Sequence, residues 1–171
     1  KDLVSYPIEE AAIEAFLLPE DSSRGGQRMA YAVVVRKSLI HDRIDFIAQS
    51  ELTLKAIDIP ELSLRNILLS CIAEEEMNRG VALVSLRQGG GSLRIYKAGN
   101  LYLSRQFKLD YNGGLLDDLP AEALTLELQR SLDYYERQMR QVPPATIYLS
   151  GENVGADKIT NELQNALAAT I

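Results

Sequence analysis

The chain has one cysteine and one histidine among its 171 residues, and that scarcity removes several chemistries at once. Cys71 alone can form neither an internal disulfide nor a cysteine-cluster metal site, and within the apolar run ILLSCIA it reads as a small buried thiol in a reducing compartment. His41, in SLIHDRIDF, has no second histidine to complete a zinc site, so it reads as a surface helix residue and no metal is expected. Basic charge is also short. With 18 Lys and Arg against 24 Asp and Glu the formal net charge is −6, and the bases are scattered, which excludes a general nucleic-acid binder because such proteins displace counterions with a basic surface. No apolar run approaches the roughly 18 residues of a membrane-spanning helix, and no signal-peptide pattern opens the chain. A soluble piece without direct membrane insertion is expected. An initiator methionine is missing as well: the sequence runs from Lys1 straight into YPIEEAAIEAF, which reads as a piece of a longer protein whose N-terminal portion precedes it.

What is present is ordinary globular material, 46% hydrophobic and 25% charged, arranged in alternating elements. Residues Ile8 to Ala12 read as a short helix after Pro7, Ile13 to Leu18 as a strand, and EDSSRGGQ as a polar loop. The apolar, β-branched run Met29 to Arg36 predicts a buried strand. Ser38 is the expected cap of a helix to Ser50, followed by an alternating strand from Leu52 to Ile57. Pro60 opens a second helix, largely covered, whose acidic EEEMNRG reads as a solvated end.

From Gly80 the texture becomes a meander. Val81 to Leu86, Ser92 to Lys97 and Leu101 to Lys108 read as three antiparallel strands joined by RQGGG and the tight AGN turn. Pro120 starts the longest helix, with Leu124, Leu128, Leu132 and Tyr135 along one stripe. A strand from Thr146 to Ser150 and a helix from Ala156 to Ala169 follow.

The stretch VSLRQGGGSLRIYKAG is the one place where a ligand loop is written into the sequence. Glycines allow backbone N–H groups to approach an anion closely, and they equally satisfy the geometry of a hairpin turn. Other chemistry is poorly supported. The adjacent acids Asp117–Asp118 and Glu74–Glu75–Glu76 read as solvated charges, and His41 has no G-x-S-x-G elbow with which to form a triad. No catalytic residue is assigned.

Three antiparallel strands with a glycine turn, the helix ELQRSLDYYERQ, then TIYLSG and a closing helix resemble the second nucleotide-binding half of the actin-like ATPase fold. GVALVSL, LRIYKAGNLYLSRQF, LELQRSLDYYERQ and IYLSGEN resemble the PilM family of type IV pilus assembly proteins, in particular its MshI members from the mannose-sensitive haemagglutinin (MSHA) pilus. YPIEEAAIEAF resembles the family's approach segment, and Met29 to Ile57 its small inserted domain, also found in the division protein FtsA. The resemblance implies an α/β (α+β) chain: a small SHS2-like strand-helix-strand module over residues 1–60, a connecting helix over 61–79, and a ribonuclease-H-like actin-ATPase-like subdomain over 80–171.

Carried over by residue, the resemblance implies a degenerate nucleotide site. Relatives end the first strand of the meander in Asp-x-Gly, where the aspartate organises hydrated magnesium and the glycine admits phosphate. Here the positions read Ser85-Leu86-Arg87, without the negative charge and with side-chain bulk. Gly89, Gly90 and Gly91 stand where relatives carry hydroxyl donors. Glu127 and Arg130 match the E-x-x-K/R pattern that grips ribose and base, although Glu and Arg at i, i+3 are also an ordinary helix pair. Gly151 keeps the first glycine of the adenosine loop, while Glu152 and Asn153 replace later ones.

The resemblance therefore implies no cofactor and no ATP hydrolysis by this piece. Its implied role is that of a non-catalytic cytoplasmic scaffold at the inner face of the bacterial inner membrane, binding the cytoplasmic tail of a PilN-like membrane protein. Ile40, Ile44, Leu52 and Leu54 are the candidate partner contacts, with the edge of the Leu52–Ile57 strand receiving an extended peptide. Further candidate partners are the assembly motor ATPase and a second copy of the chain. Two alternatives stay open: a PilM-like switch that binds Mg-ATP, and a platform component of type II secretion similar to GspL.

Overall fold

The computed structural model describes residues 4–19, 28–111, 119–151 and 157–171, with side chains for all of these except 157 and 158. The chain divides into two compact units, Lys1–Ile59 and Pro60–Ile171. Each has its own sheet.

In the first unit Pro7 leads into a single 3-10 turn, Ile8–Glu10, tighter and shorter than the expected helix. Strand β1 (Ala11–Leu17) then pairs antiparallel with β2 (Ala30–Arg36), from Ala11↔Arg36 to Leu17↔Ala30. The Phe16 and Tyr31 rings stack at 5.4 Å, and the Arg36 guanidinium lies 4.5 Å above the Tyr6 ring. Strand β2 was expected to be buried, yet none of its residues is. A continuous apolar strand is buried on both faces only when layers cover both, and this sheet has two strands and one neighbouring helix.

That helix, α1 (Lys37–Gln49), follows β2 directly. Arg36 occupies the cap position and no side chain caps the end, so Ser38 is not the expected N-cap. The predicted strand over Leu52–Ile57 does not form: these residues have no regular structure. Alternation supplies a pleat, but a strand exists only where a partner strand completes its hydrogen bonds.

The second unit opens with α2 (Pro60–Cys71) and α3 (Glu74–Arg79), two helices where one was expected. The acids are the reason. Glu74, Glu75 and Glu76 sit in the first turn of α3, where a carboxylate is favoured by the helix dipole, and the Ala73 carbonyl accepts the N–H groups of Glu76 and Met77. EEE thus starts a helix instead of ending one. Helix α2 is also less covered than expected, with Leu68 its one buried residue among those described. Leu64, Leu68 and Ile72 fall at i, i+4 spacing on the covered side, which leaves Cys71 exposed, contrary to its apolar sequence context.

The meander forms as read: β3 (Val81–Arg87), β4 (Gly90–Lys97) and β5 (Asn100–Lys108) are antiparallel neighbours. Ala98 and Gly99, both at positive φ, make the second hairpin's two-residue turn, and Asn100 Nδ2 donates to the Ala98 carbonyl at 2.8 Å. Helix α4 (Ala121–Arg137), strand β6 (Thr146–Gly151) and helix α5 (Asp157–Ala166) complete the unit. Strand β6 returns parallel to β3, so the sheet order is β5-β4-β3-β6 and the sheet is mixed.

Alternation decides the faces. Arg94, Tyr96 and Ser104 point to α2, where Glu61 meets all three: its carboxylate lies 3.5 Å from Arg94 and 3.2 Å from Ser104, and its carbonyl accepts the Tyr96 hydroxyl at 2.7 Å. Leu93, Ile95 and Leu103 line the opposite face, where α4 packs. The stripe that α4 buries is Leu124, Leu128, Ser131 and Tyr135, with Ser131 in the place expected for Leu132 because two helical turns from Leu124 end nearer 131. A register irregularity beside Ile95 and Tyr96 accompanies Tyr102, whose ring meets Tyr135 edge-on at 6.1 Å.

Candidate functional site

Parallel strands β3 and β6 end side by side, with Ser85 opposite Ser150 and Leu86 opposite Gly151. Carboxyl ends of adjacent parallel strands are where open α/β sheets receive ligands, so the fold brings Ser85 and Gly151 to a plausible place. The Ser150 hydroxyl donates to Ser85 Oγ at 3.3 Å. Neither carries charge, and the pair offers no carboxylate for a metal ion. Among the described residues no group of three His, Cys, Asp or Glu side chains converges on a common point.

The glycine run is a hairpin, not an open loop. Only Gln88 and Gly89 lie in the turn; Gly90 and Gly91 already pair with Lys108 and Phe107 as buried residues of β4. The Gly89 N–H donates to the Tyr111 carbonyl at 2.7 Å, and the Gly89 carbonyl accepts the Leu109 N–H at 3.2 Å. Cβ atoms are excluded at the next two positions by contact, not by a ligand. A Cβ on Gly90 collides with the Phe107 carbonyl, and one on Gly91 lies 2.7 Å from the Ser85 carbonyl and 2.8 Å from Phe107 Cζ. The Gly89 amide is engaged, and Gly90 and Gly91 make room for β5 and for the Ser85 carbonyl. Arg87, the last residue of β3, is exposed.

Glu127 and Arg130 pair on α4 at 2.8 Å. Sequence reasoning missed the third member, Arg105 on β5, whose Nη2 lies 2.7 Å from the other Glu127 oxygen and whose Nη1 donates to Ser131 Oγ at 2.8 Å. Both carboxylate oxygens therefore already accept from guanidinium groups, which ties the helix to the sheet. Arg105 was invisible because its position opposite α4 depends on the register of β5.

The candidate partner residues belong to the first unit. Ile40 and Ile44 lie one turn apart on α1, the former half-buried and the latter 40% exposed, and Phe46 is 62% exposed. Leu52 and Leu54 are also exposed, in the segment without regular structure. The peptide-receiving strand edge proposed for that segment is absent. His41 is exposed on α1, as expected. Glu152, Asn153 and Asp117–Asp118 lie outside the described residues, and so does EDSSRGGQ.

No helix among the described residues is long and apolar enough to cross a membrane. No protein-family model matches the chain, and no curated protein matches it in sequence. Solved structures do. A chain of a PilM-PilN type IV pilus biogenesis complex is similar with a TM-score of 0.66 at 18% identity, over 97% of this chain and 56% of that one. A protein of Bacteroides thetaiotaomicron with an actin-like ATPase fold and unknown function gives 0.46 at 15% identity, over 98% of this chain and 55% of that one. The chain thus spans a little over half the length of either neighbour. The first likeness is one of fold, and with it the expected α/β class, with a mixed sheet, stands.

Proposed function

We propose that this chain is part of a non-catalytic scaffold in a type IV pilus assembly platform of the MSHA kind, working at the cytoplasmic face of the inner membrane and docking the tail of a PilN-like membrane protein. The observation that carries this reading is the fold shared with a chain of a PilM-PilN complex over 97% of the sequence. The apolar residues exposed on and after α1, among them Ile44, Phe46, Leu52 and Leu54, support a docking role, since a surface with this many uncovered apolar side chains is what a partner segment buries. Leu52 and Leu54 then act as anchors from an extended segment and not as a pleated edge.

The non-catalytic half of the reading rests on the hairpin. Phosphoryl transfer depends on positioned charge around the phosphates, and here Ser85 brings a hydroxyl, the Gly89 amide is engaged, and Glu127 is held by two arginines. Thermal unfolding of the full-length protein with and without Mg-ATP tests this. A ligand that binds the native state raises its apparent stability, so an unchanged midpoint is expected. A clear rise would replace the scaffold by the ATP-binding switch.

A further inference from the structure

On the outer side of the second unit, α4 and α5 leave a groove of about 600 Å³ between them. Its floor is apolar or small: Ala121, Thr125 and Leu126 from α4, and Ala166 from α5. Leu126 is 48% exposed there, on the face of α4 opposite the buried Leu124 and Leu128. An acid stands on each rim, Glu122 on α4 and Glu162 on α5, and no basic side chain is among the described residues that line it. The nearest base along α4, Arg130, is turned onto Glu127 at 2.8 Å; on α5 the base nearest Glu162 in sequence is Lys158, whose side chain lies outside those described.

We propose that this groove docks a short basic amphipathic helix of a partner protein. Two neighbouring helices present a furrow that a third helix fills with one row of side chains. From Ala121 to Gln129 the helix rises about 12 Å, the length of roughly two turns, so the occupant seats one or two large apolar residues at i, i+3 or i+4 spacing. The rim selects its charge. Lysine or arginine flanking those anchors meets Glu122 and Glu162, whereas acidic flanks, or the same acidic groove on a second copy, place like charges against each other. The groove belongs to the second unit, and its occupancy does not depend on the docking assigned to α1.

The probe is a synthetic helix-forming peptide of leucine and lysine, about 14 residues and ~21 Å long, labelled for fluorescence anisotropy against the full-length protein. Its counterpart replaces every lysine by glutamate. The expected result is saturable binding of the lysine peptide only, weakened by added salt, and weakened about tenfold by Glu122→Lys combined with Glu162→Lys. Those rim positions are exposed, and an unchanged thermal midpoint of the variant shows that the fold is intact. Leu126→Asn, which keeps both acids, is expected to weaken binding as well. Equal affinity for both peptides, or undiminished binding by the folded charge-reversed variant, overturns the proposal. So does a dimer in sedimentation that Leu126→Asn dissociates, because the occupant is then a second copy.

Discussion

At the scale of single residues, the glycine run separates conformational need from spatial need. Gly89 sits at φ +79° with nothing near its missing Cβ, whereas Gly91 has ordinary φ but no room. Gly91→Ala is therefore expected to cost about 1–3 kcal/mol by overpacking against the Ser85 carbonyl and the Phe107 ring. Gly89→Ala is expected to cost roughly 1 kcal/mol, from backbone strain alone. Denaturant unfolding of the two variants measures both, and equal costs would mean that the Gly91 contact relaxes freely. Tyr96 gives a pH prediction. Burial, with the Glu61 carboxylate adding to it and Arg94 opposing it, pushes its hydroxyl up to about 12 from 10. Burial also raises Tyr135. Below pH 10 the folded and unfolded chains both hold neutral tyrosine and the full stability is present. Between 10 and 12 only the unfolded chain ionises, so stability falls, by roughly 2–3 kcal/mol for Tyr96 at about 1.4 kcal/mol per tenfold. Urea midpoints across that range should fall less steeply in Tyr96→Phe than in the parent. An equal slope would show that Tyr96 ionises normally.

At the scale of elements, Arg105 ties β5 to α4 through Glu127 and Ser131. Its side chain is 38% exposed, so the pair is partly screened and Arg105→Ala is expected to cost about 1 kcal/mol. A double-mutant cycle with Glu127→Gln should return a favourable coupling, and a coupling of zero would leave the tie without energetic weight. Nothing local in the sequence marks this tie, because it is made by residues 22 positions apart on two different elements. The meander was legible because each strand carries its own alternation and each turn its own glycine or asparagine. The hairpin reading of RQGGG was available too, but the contacts that forbid a side chain at Gly91 come from the Ser85 carbonyl on β3 and the Phe107 ring on β5, and could not be read from neighbours. The first unit shows the opposite failure. Met29 to Arg36 and Leu52 to Ile57 have strand-like sequences, but burial of the one and pairing of the other depend on layers and partners that local pattern does not encode. The acidic run misled for a related reason: Glu74 to Glu76 could end one helix or begin another, and only the break after Cys71 decides.

At the scale of the whole molecule, the two units are built differently. The second has a four-stranded mixed sheet with helices on both faces and most of the buried side chains, among them Leu93, Ile95, Tyr96, Leu128 and Leu163. The first has two strands, one helix, and Ala11 and Leu18 as its buried apolar residues among those described. A two-stranded sheet with so little core is marginal without further contacts, which suits an element that completes its surface by taking a partner. In the second unit the Gly89 amide and the Glu127 carboxylate are already engaged internally. The function proposed for the protein is docking, with no nucleotide chemistry. Calorimetric titration of the full-length protein with the cytoplasmic tail peptide of a PilN-like protein, the partner proposed above, run in buffer and again in saturating Mg-ATP, is the decisive measurement. Binding with the same affinity in both is expected, lost on Phe46→Asp without a change in the thermal midpoint. Absence of binding, or an affinity that shifts several-fold with Mg-ATP, would contradict the proposed function.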